Sequence, residues 1–140
     1  MEMLSDRTGL EHLTLDECRL LLRQNHIGRI AVTVGACPVI FPVNYAMLAD
    51  DVVFRSGEGT KLQAAERAEM AAFEIDGHDE IYQTGWSVMV TGRPELLNPA
   101  EESALDALPL RPWAPGDKRH WVRIRTDRVS GRRIRPRSSS

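Results

Sequence analysis

Residues 55–61 bring together chemical groups that can hold a phosphate. They include two cations, two hydroxyls and two glycines, namely Arg55, Lys61, Ser56, Thr60, Gly57 and Gly59. An apolar stretch at 51–54 precedes them and an alanine-rich stretch at 62–69 follows, which predicts a strand that ends here and a helix that begins here. A helix N-terminus presents unpaired N–H groups and a partial positive charge, and glycine lets the backbone approach a ligand. Hydroxyl donors and fixed cations complete a phosphate clamp.

An ordinary junction between a strand and a helix explains the same residues. Thr60 is a suitable helix N-cap, and Arg55 and Lys61 can then lie solvated on the surface. The segment lacks the spacing of a P-loop, and Gly57 and Gly59 have no third glycine to complete a Rossmann fingerprint. From this segment alone, both interpretations stay open.

The composition is ordinary for one soluble domain. The chain has 140 residues, of which 42% are hydrophobic and 27% charged. It contains no apolar run of membrane-spanning length, its N-terminus is too polar for a signal peptide, and Cys18 and Cys37 fit no metal-ligand spacing. We therefore expect a cytoplasmic protein without a metal, with one domain at 1–134 and a basic, serine-rich tail at 135–140.

The formal net charge of −2 conceals an uneven distribution of charge. From Lys118 to the C-terminus there are nine cations and a single acid, Asp127. Such a segment can bind nucleic acid, with an affinity that falls steeply with salt, or it can form the solvated face of a strand. We favour the strand face and expect no nucleic-acid partner.

Six strands and three helices are predicted. Thr14 and Glu17 form a capping box that begins a helix from 14 to about 25, which Gly28 is expected to end. Strands are predicted at 29–34, 38–47, 51–55, 70–75, 86–96 and 120–125, with a turn at 76–79 and further helices at 62–69 and after Asn98. Tight turns between most of the strands indicate a mainly β, antiparallel barrel with helices outside.

Two prolines make the second strand unusual. Pro38 and Pro42 each remove a backbone donor, which favours an edge or a break near Pro42. Either would leave the backbone of Val43 and Asn44 facing a ligand, although a plain edge strand explains the prolines equally well.

Familiar hydrolytic and metal-dependent sites are missing from the sequence. The four histidines are far apart and have no ligand spacing, and there is no G-x-S-x-G elbow. Neither cysteine lies in a recognisable catalytic setting. If the barrel carries out chemistry, a bound cofactor is expected to supply it.

Six short segments occur in an informative order and spacing. They are LTLDEC at 13–18, HIGRIA at 26–31, PVNY at 42–45, VFRS at 53–56, GTKL at 59–62 and GWSVMVTG at 85–92. Together they resemble the pyridoxamine 5′-phosphate oxidase-like family of FMN-binding split barrels, over roughly residues 13–134. The resemblance implies a six-stranded antiparallel split barrel with flanking helices.

The resemblance also implies a function and a site. It implies a flavin-dependent oxidoreductase that acts on a small molecule, as a homodimer with two FMN sites at the subunit interface. The implied cofactor contacts are the phosphate clamp Arg55, Ser56, Thr60 and Lys61, the ring-lining residues Pro42, Val43 and Asn44, and the partner-subunit residues Ser87, Trp113 and Trp121.

Some features depart from the family pattern. The longer C-terminal part that binds pyridoxal phosphate in the true oxidases is missing, and Thr60 stands where nitroimidazole-reductase-like members carry a histidine. Vitamin B6 oxidation and nitroimidazole reduction are therefore not supported. Relatives that bind the deazaflavin F420 or haem leave two alternatives open, an F420-dependent reductase and a non-catalytic flavin- or haem-binding module.

Overall fold

The computed structural model describes residues 10–56, 67–106, 120–126 and 128–135. The predictions for Thr60, Lys61, Trp113 and the helix at 62–69 lie outside these ranges, apart from the last residues of that helix. In the described part the chain forms two helices, α1 (Leu15–Gln24) and α2 (Pro99–Asp106). The strands are β1 (Leu10–His12), β2 (Ile27–Val34), β3 (Cys37–Leu48), β4 (Asp51–Ser56), β5 (Ala71–Asp79), β6 (Thr84–Gly92), β7 (Pro94–Leu96), β8 (His120–Ile124) and β9 (Arg128–Ile134).

The nine described strands form one antiparallel sheet in the order β1-β9-β6-β5-β2-β3-β4-β8-β7. The fold is the predicted split β-barrel with flanking helices, although it has more strands than the six expected. β3 joins the two halves of the sheet because it changes partner along its length. Its first part pairs with β2, from Cys37 to Asn44, and its last part pairs with β4, from Tyr45 to Leu48.

The main core lies on the inner face of the strands. Residues at every second position point inward, including Phe41, Val43 and Tyr45 of β3. The Tyr45 ring meets Phe73 of β5 edge to face, with ring centroids 4.8 Å apart. α1 covers this core with its apolar face and begins at the predicted capping box, in which Thr14 and Glu17 bond each other's backbone N–H groups.

A second, smaller core lies under α2. It contains Val53, Leu97, Leu105 and Trp121. Asn98 caps α2 as predicted, since its side chain accepts a hydrogen bond from the Glu101 N–H at 2.9 Å. On the same side of the sheet, Arg123 bridges Asp51 and Glu101, which ties α2 to β4 and β8.

Two of the sequence predictions are wrong because a glycine lies inside a strand. Gly28 does not end α1, which stops at Gln24, but pairs with Val43 inside β2. Any Cβ at Gly28 would collide with the Phe73 ring, so glycine is needed for close packing. Similarly, residues 76–79 are not a turn, because β5 continues through Gly77 to Asp79 beneath the Trp86 indole.

The basic C-terminal segment contains a strand that was not predicted. β9 pairs with β6 on one side and with β1 on the other, so 120–125 is not the last strand. Ion pairs with acids elsewhere in the chain involve Arg123, Arg125, Arg133 and Arg135. None of the described helices is long and apolar enough to cross a membrane.

Candidate functional site

Arg55 of the predicted clamp and Asn44 of the predicted ring-lining strand both lie next to the end of the β3–β4 ladder. The last pair of their ladder is Tyr45 with Phe54. Asn44 and Arg55 are the next residues along the two strands, so they lie side by side where the ladder stops. Beyond this point β3 pairs with β2, whereas β4 continues beside β8 as far as Ser56.

Arg55 is supported from within its own chain. It pairs with Trp121 across the ladder between β4 and β8, and its guanidinium carbon lies 5.5 Å from the centre of the indole ring. Trp121 is only 2% exposed and packs with Val53, Leu97 and Leu105. A cation held over an aromatic face loses part of its rotational freedom, so Arg55 is well placed to meet an anion.

The residues around Pro42 occupy an unbroken strand. The predicted break is absent, but the predicted edge is present, because over Cys37–Asn44 only β2 pairs with β3 among the described residues. Val43 points into the core, whereas Pro42 lines an outer cleft of about 510 Å³ together with Arg29 and Asp76. The outer face of this strand is therefore accessible to a ligand.

Three charged side chains form a cluster beside this cleft. An Arg29 Nη1 atom lies 2.9 Å from an Asp76 oxygen and 3.4 Å from a Glu74 oxygen. Partial burial and the neighbouring Asp76 carboxyl raise the pKa of Glu74 to about 7, although Arg29 opposes the shift. The sequence did not suggest this cluster, because Arg29 comes from β2 and meets the two β5 carboxylates only through the β2–β5 register.

Ser87 lies on a different strand of the sheet from Arg55, and the two strands are not neighbours. It is on β6, and the strands β5, β2 and β3 separate it from β4. It faces outward, level with Asp76 on one side and Arg132 on the other.

The comparisons with known proteins place the chain in a family. The family described as pyridoxamine 5′-phosphate oxidase matches residues 14–133. The chain belongs to this family. Its relatives include uncharacterized protein Rv0080 of Mycobacterium tuberculosis, which is 33% identical over 127 residues, or 87% of this chain and 84% of that protein.

Solved structures of similar proteins have the same fold. The FAD binding protein from Mycobacterium smegmatis is 37% identical, with a TM-score of 0.74, over 89% of this chain and 98% of its own. The conserved protein of unknown function DIP1874 from Corynebacterium diphtheriae is 32% identical, with a TM-score of 0.72, over the same shares.

Within this member of the pyridoxamine 5′-phosphate oxidase family, the structure brings together part of the predicted site. Asn44 and Arg55 flank the last pair of the β3–β4 ladder, and Ser56 follows Arg55 in β4. Trp121 lies at this point too, where it is buried and supports Arg55 of its own chain; that it also reaches the cofactor of a partner subunit stays a prediction. The sequence did not reveal this role, because a tryptophan in a strand can face either side of a sheet.

Proposed function

We propose that this protein binds a flavin nucleotide where β3 and β4 diverge, and uses it to transfer hydride or electrons to a small molecule. The observation that carries the proposal is the convergence of Asn44 and Arg55 at the end of the β3–β4 ladder. Membership of the pyridoxamine 5′-phosphate oxidase family and the 37% identity to an FAD binding protein support it.

The residues at this point suit a flavin nucleotide. Arg55 offers a charged, planar donor group that is already held against Trp121, which matches a phosphate oxygen pair. Ser56, Thr60 and Lys61 follow along the chain and would add hydroxyl and ammonium donors. The outer side of Pro42, Val43 and Asn44 would line the ring, and the bound flavin would supply the redox chemistry.

FMN is the cofactor that we propose, as the sequence resemblance implies. FAD contains the same ring and the same first phosphate, so the clamp residues alone suit both nucleotides. Titration of flavin-free protein with FMN, FAD and F420 separates the three. We expect the lowest dissociation constant for FMN. Tighter binding of FAD would instead assign FAD as the cofactor, as in the name of the M. smegmatis relative.

A homodimer with a cofactor site at each side of its interface is part of the proposal. Within one chain, three strands lie between the strand that carries Ser87 and the strand that carries Arg55. This order is compatible with Ser87 reaching the flavin of the partner subunit. A two-fold axis would then build two equivalent sites, each with the clamp of one chain and Ser87 of the other.

Replacement of Arg55 tests the site directly. A charge-assisted hydrogen bond contributes about 1.5–3 kcal/mol, so Arg55→Ala should weaken flavin binding roughly tenfold to a hundredfold. Lys61→Ala should have an effect of similar size. The dissociation constants are measured by the change in flavin fluorescence on titration with protein.

Arg125→Ala is the matched control for Arg55. Arg125 is an exposed arginine that follows β8 and pairs with Glu95, away from the proposed site. Its replacement should leave flavin affinity unchanged. A wild-type protein that is colourless and takes up no flavin would refute the proposed function, whereas equal affinities of wild type and Arg55→Ala would place the phosphate elsewhere.

A further inference from the structure

A charged cluster lies in the middle of the outer face of the sheet. On β2 and β5 every second side chain points away from the core, and these positions include Arg29, Glu74 and Asp76. Arg29 is opposite Glu74 in the β2–β5 ladder, and its guanidinium contacts both carboxylates. About half of the Arg29 side chain and 37% of the Glu74 side chain remain exposed. Both charges are therefore open to a molecule that docks on this face.

The strands on either side of the cluster are free of charge. Neither β3 nor β6 contains an acidic or basic residue, and each exposes a large apolar side chain on this face, Ile40 and Met89. Next to the cluster, Ala31 and Ala72 form a register pair of small residues across β2 and β5. Small central residues with exposed apolar ones beside them fit a surface that another protein covers closely.

The strand order makes this face complementary to itself. β6, β5, β2 and β3 are consecutive in the sheet. A two-fold axis that runs along the strands, between β5 and β2, would lay β5 of one copy over β2 of the other. Since Arg29 and Glu74 are at the same level, Arg29 would face the partner's Glu74, and Glu74 would face the partner's Arg29.

The charges also argue against an axis that runs across the strands. Such an axis would place each strand over its own copy, so that Glu74 would face the partner's Glu74 and Arg29 the partner's Arg29. Like charges that oppose each other at an interface are strongly unfavourable. The axis along the strands instead brings opposite charges together.

The same axis suits the cofactor site. It would lay β6 of one copy over β3 of the other. Ser87 lies two residues from the level of Glu74 on β6, and Asn44 lies two residues from the level of Arg29 on β3. Both displacements run in the same direction along the sheet, so Ser87 would lie over the partner's Asn44.

We propose that a second copy of this chain docks on the outer face about a two-fold axis between β2 and β5, with Arg29 of each copy paired with Glu74 of the other. This arrangement rests on the proposed function, because the shared cofactor site is what requires β6 to lie over the partner's β3. The two equivalent ion pairs fix the angle and the register at which the sheets meet.

Mixing two charge-reversed variants tests this arrangement. At pH 8, above the pKa of about 7 that Glu74 has in the fold, Arg29→Glu and Glu74→Arg should each dimerise about tenfold more weakly than wild type, or worse, because like charges face each other. An equimolar mixture of the two should form heterodimers, in which both pairs join opposite charges. Native mass spectrometry of variants that differ in mass distinguishes heterodimers from homodimers.

The mixture of Arg125→Glu with Glu95→Arg is the matched control. Arg125 and Glu95 form an ion pair of similar exposure within one chain, away from the four strands of the proposed interface. Both variants should dimerise like wild type, and their mixture should show no preference for heterodimers. Heterodimers favoured equally in both mixtures would overturn the proposal, since general charge attraction would then explain them.

Arg29→Gln extends the test if charge reversal prevents folding. It leaves the carboxylates at the axis without their cation and should also weaken dimerisation about tenfold. The proposal is overturned if Arg29→Gln dimerises as tightly as wild type, if the Arg29→Glu and Glu74→Arg mixture forms no heterodimers, or if wild type is monomeric. Heterodimers from Arg132→Glu with Asp76→Arg instead would place the axis along β6 and overturn it too.

Flavin titration of the same samples separates this interface from the proposed function. A wild type that dimerises as described but takes up no flavin would refute the proposed function and retain the interface. Flavin uptake by wild type without a preference for heterodimers in the Arg29→Glu and Glu74→Arg mixture would refute the interface alone.

Discussion

Tyr45 shows how one buried hydroxyl joins α1 to the barrel. Its phenol donates a hydrogen bond of 2.6 Å to the carbonyl of Leu22, in the last turn of α1 where carbonyls lack helical partners. Burial raises the pKa of Tyr45, so the phenol stays protonated and remains a donor. The hydroxyl thus satisfies a buried acceptor that has no access to water.

Removal of this hydroxyl should cost stability. Tyr45→Phe leaves the Leu22 carbonyl without its donor, so we expect the free energy of unfolding to fall by about 1–3 kcal/mol. Denaturation in urea, followed by circular dichroism, measures the change. Tyr82→Phe is the control, because Tyr82 is 67% exposed and its replacement should change stability by less than about 0.5 kcal/mol. Equal effects of both replacements would show that the bond to Leu22 contributes nothing.

Glu74 should make stability depend on pH. Its pKa is 4.5 for the free group and about 7 in the fold, with burial as the largest cause and Asp76 as the next. Between these two values the folded state holds a proton that the unfolded state has lost. The Glu74 contribution therefore weakens the fold progressively as pH rises from about 4.5 to about 7.

Glu74→Gln removes this dependence. The variant should gain stability relative to wild type as pH rises through the same window, and the difference should level off above it. Denaturant midpoints at several pH values measure the gain. Glu80→Gln, a fully exposed carboxyl in the turn between β5 and β6, should show no such trend. A constant difference between Glu74→Gln and wild type would contradict the shifted pKa.

At the scale of elements, β9 and α1 are packed without space for a side chain at Gly131. A Cβ there would lie 2.5 Å from the Cys18 sulfur and 2.9 Å from Leu13 Cδ1. The Leu13 N–H also donates to the Gly131 carbonyl at 2.9 Å, which fixes the backbone. Gly131→Ala should therefore destabilise the fold by about 1–3 kcal/mol through overpacking.

Gly85→Ala provides the comparison for Gly131→Ala. Gly85 also lies in a strand of this sheet, but its nearest neighbour would be 3.5 Å from the added carbon, an ordinary contact. Urea denaturation of both variants should show a clear loss only for Gly131→Ala. A similar loss in both would point to the general cost of replacing a strand glycine rather than to contact with α1.

These glycines explain which elements the sequence could predict. Strands with alternating large residues, such as β2, β3 and β4, were predicted nearly in full, and the capping box placed α1. β9 was missed because its inward positions include Gly131 and Arg133, so large apolar residues do not alternate along it. β5 was cut short at Gly77 because the residue that fills the space above it, Trp86, comes from another strand.

The candidate site was predictable to a similar extent. Arg55 and the 42–44 strand carry local signals, namely a cation at a strand end and two prolines. No local sequence signal marks the Glu74–Arg29 cluster or the pairing of Ser87 with Arg132, because only the sheet register brings those residues together. The burial of Trp121 depends on α2, which lies elsewhere in the sequence.

At the scale of the whole molecule, the outer face of the sheet exposes large apolar side chains among its charged ones. Ile40 on β3 is 67% exposed and Met89 on β6 is 45% exposed. Both lie on the side of the strands opposite the core, on the same face as Pro42 and Ser87. Burial of this face against a second copy would remove apolar surface from water and bring two cofactor sites to one interface.

Charge on this face should therefore break the proposed dimer. A carboxylate in Ile40→Glu or Met89→Glu would lose its hydration on association, so we expect each variant to weaken dimerisation about tenfold or more. Light scattering after size-exclusion chromatography, over a range of protein concentrations, measures the mass. Leu96→Glu is the control, since Leu96 is also largely exposed but lies on β7, at one end of the strand order and outside the β6–β3 strands that carry Ile40 and Met89.

Flavin binding should follow the dimer in these variants. If Ser87 of one chain completes the site of the other, Ile40→Glu and Met89→Glu should lose flavin as they dissociate, and Leu96→Glu should retain it. Arg55→Ala should do the reverse and lose flavin while it stays dimeric. A wild type that is monomeric and binds flavin fully would refute the shared site but not the clamp at Arg55. The interface variants test the shared site, whereas Arg55→Ala tests the clamp.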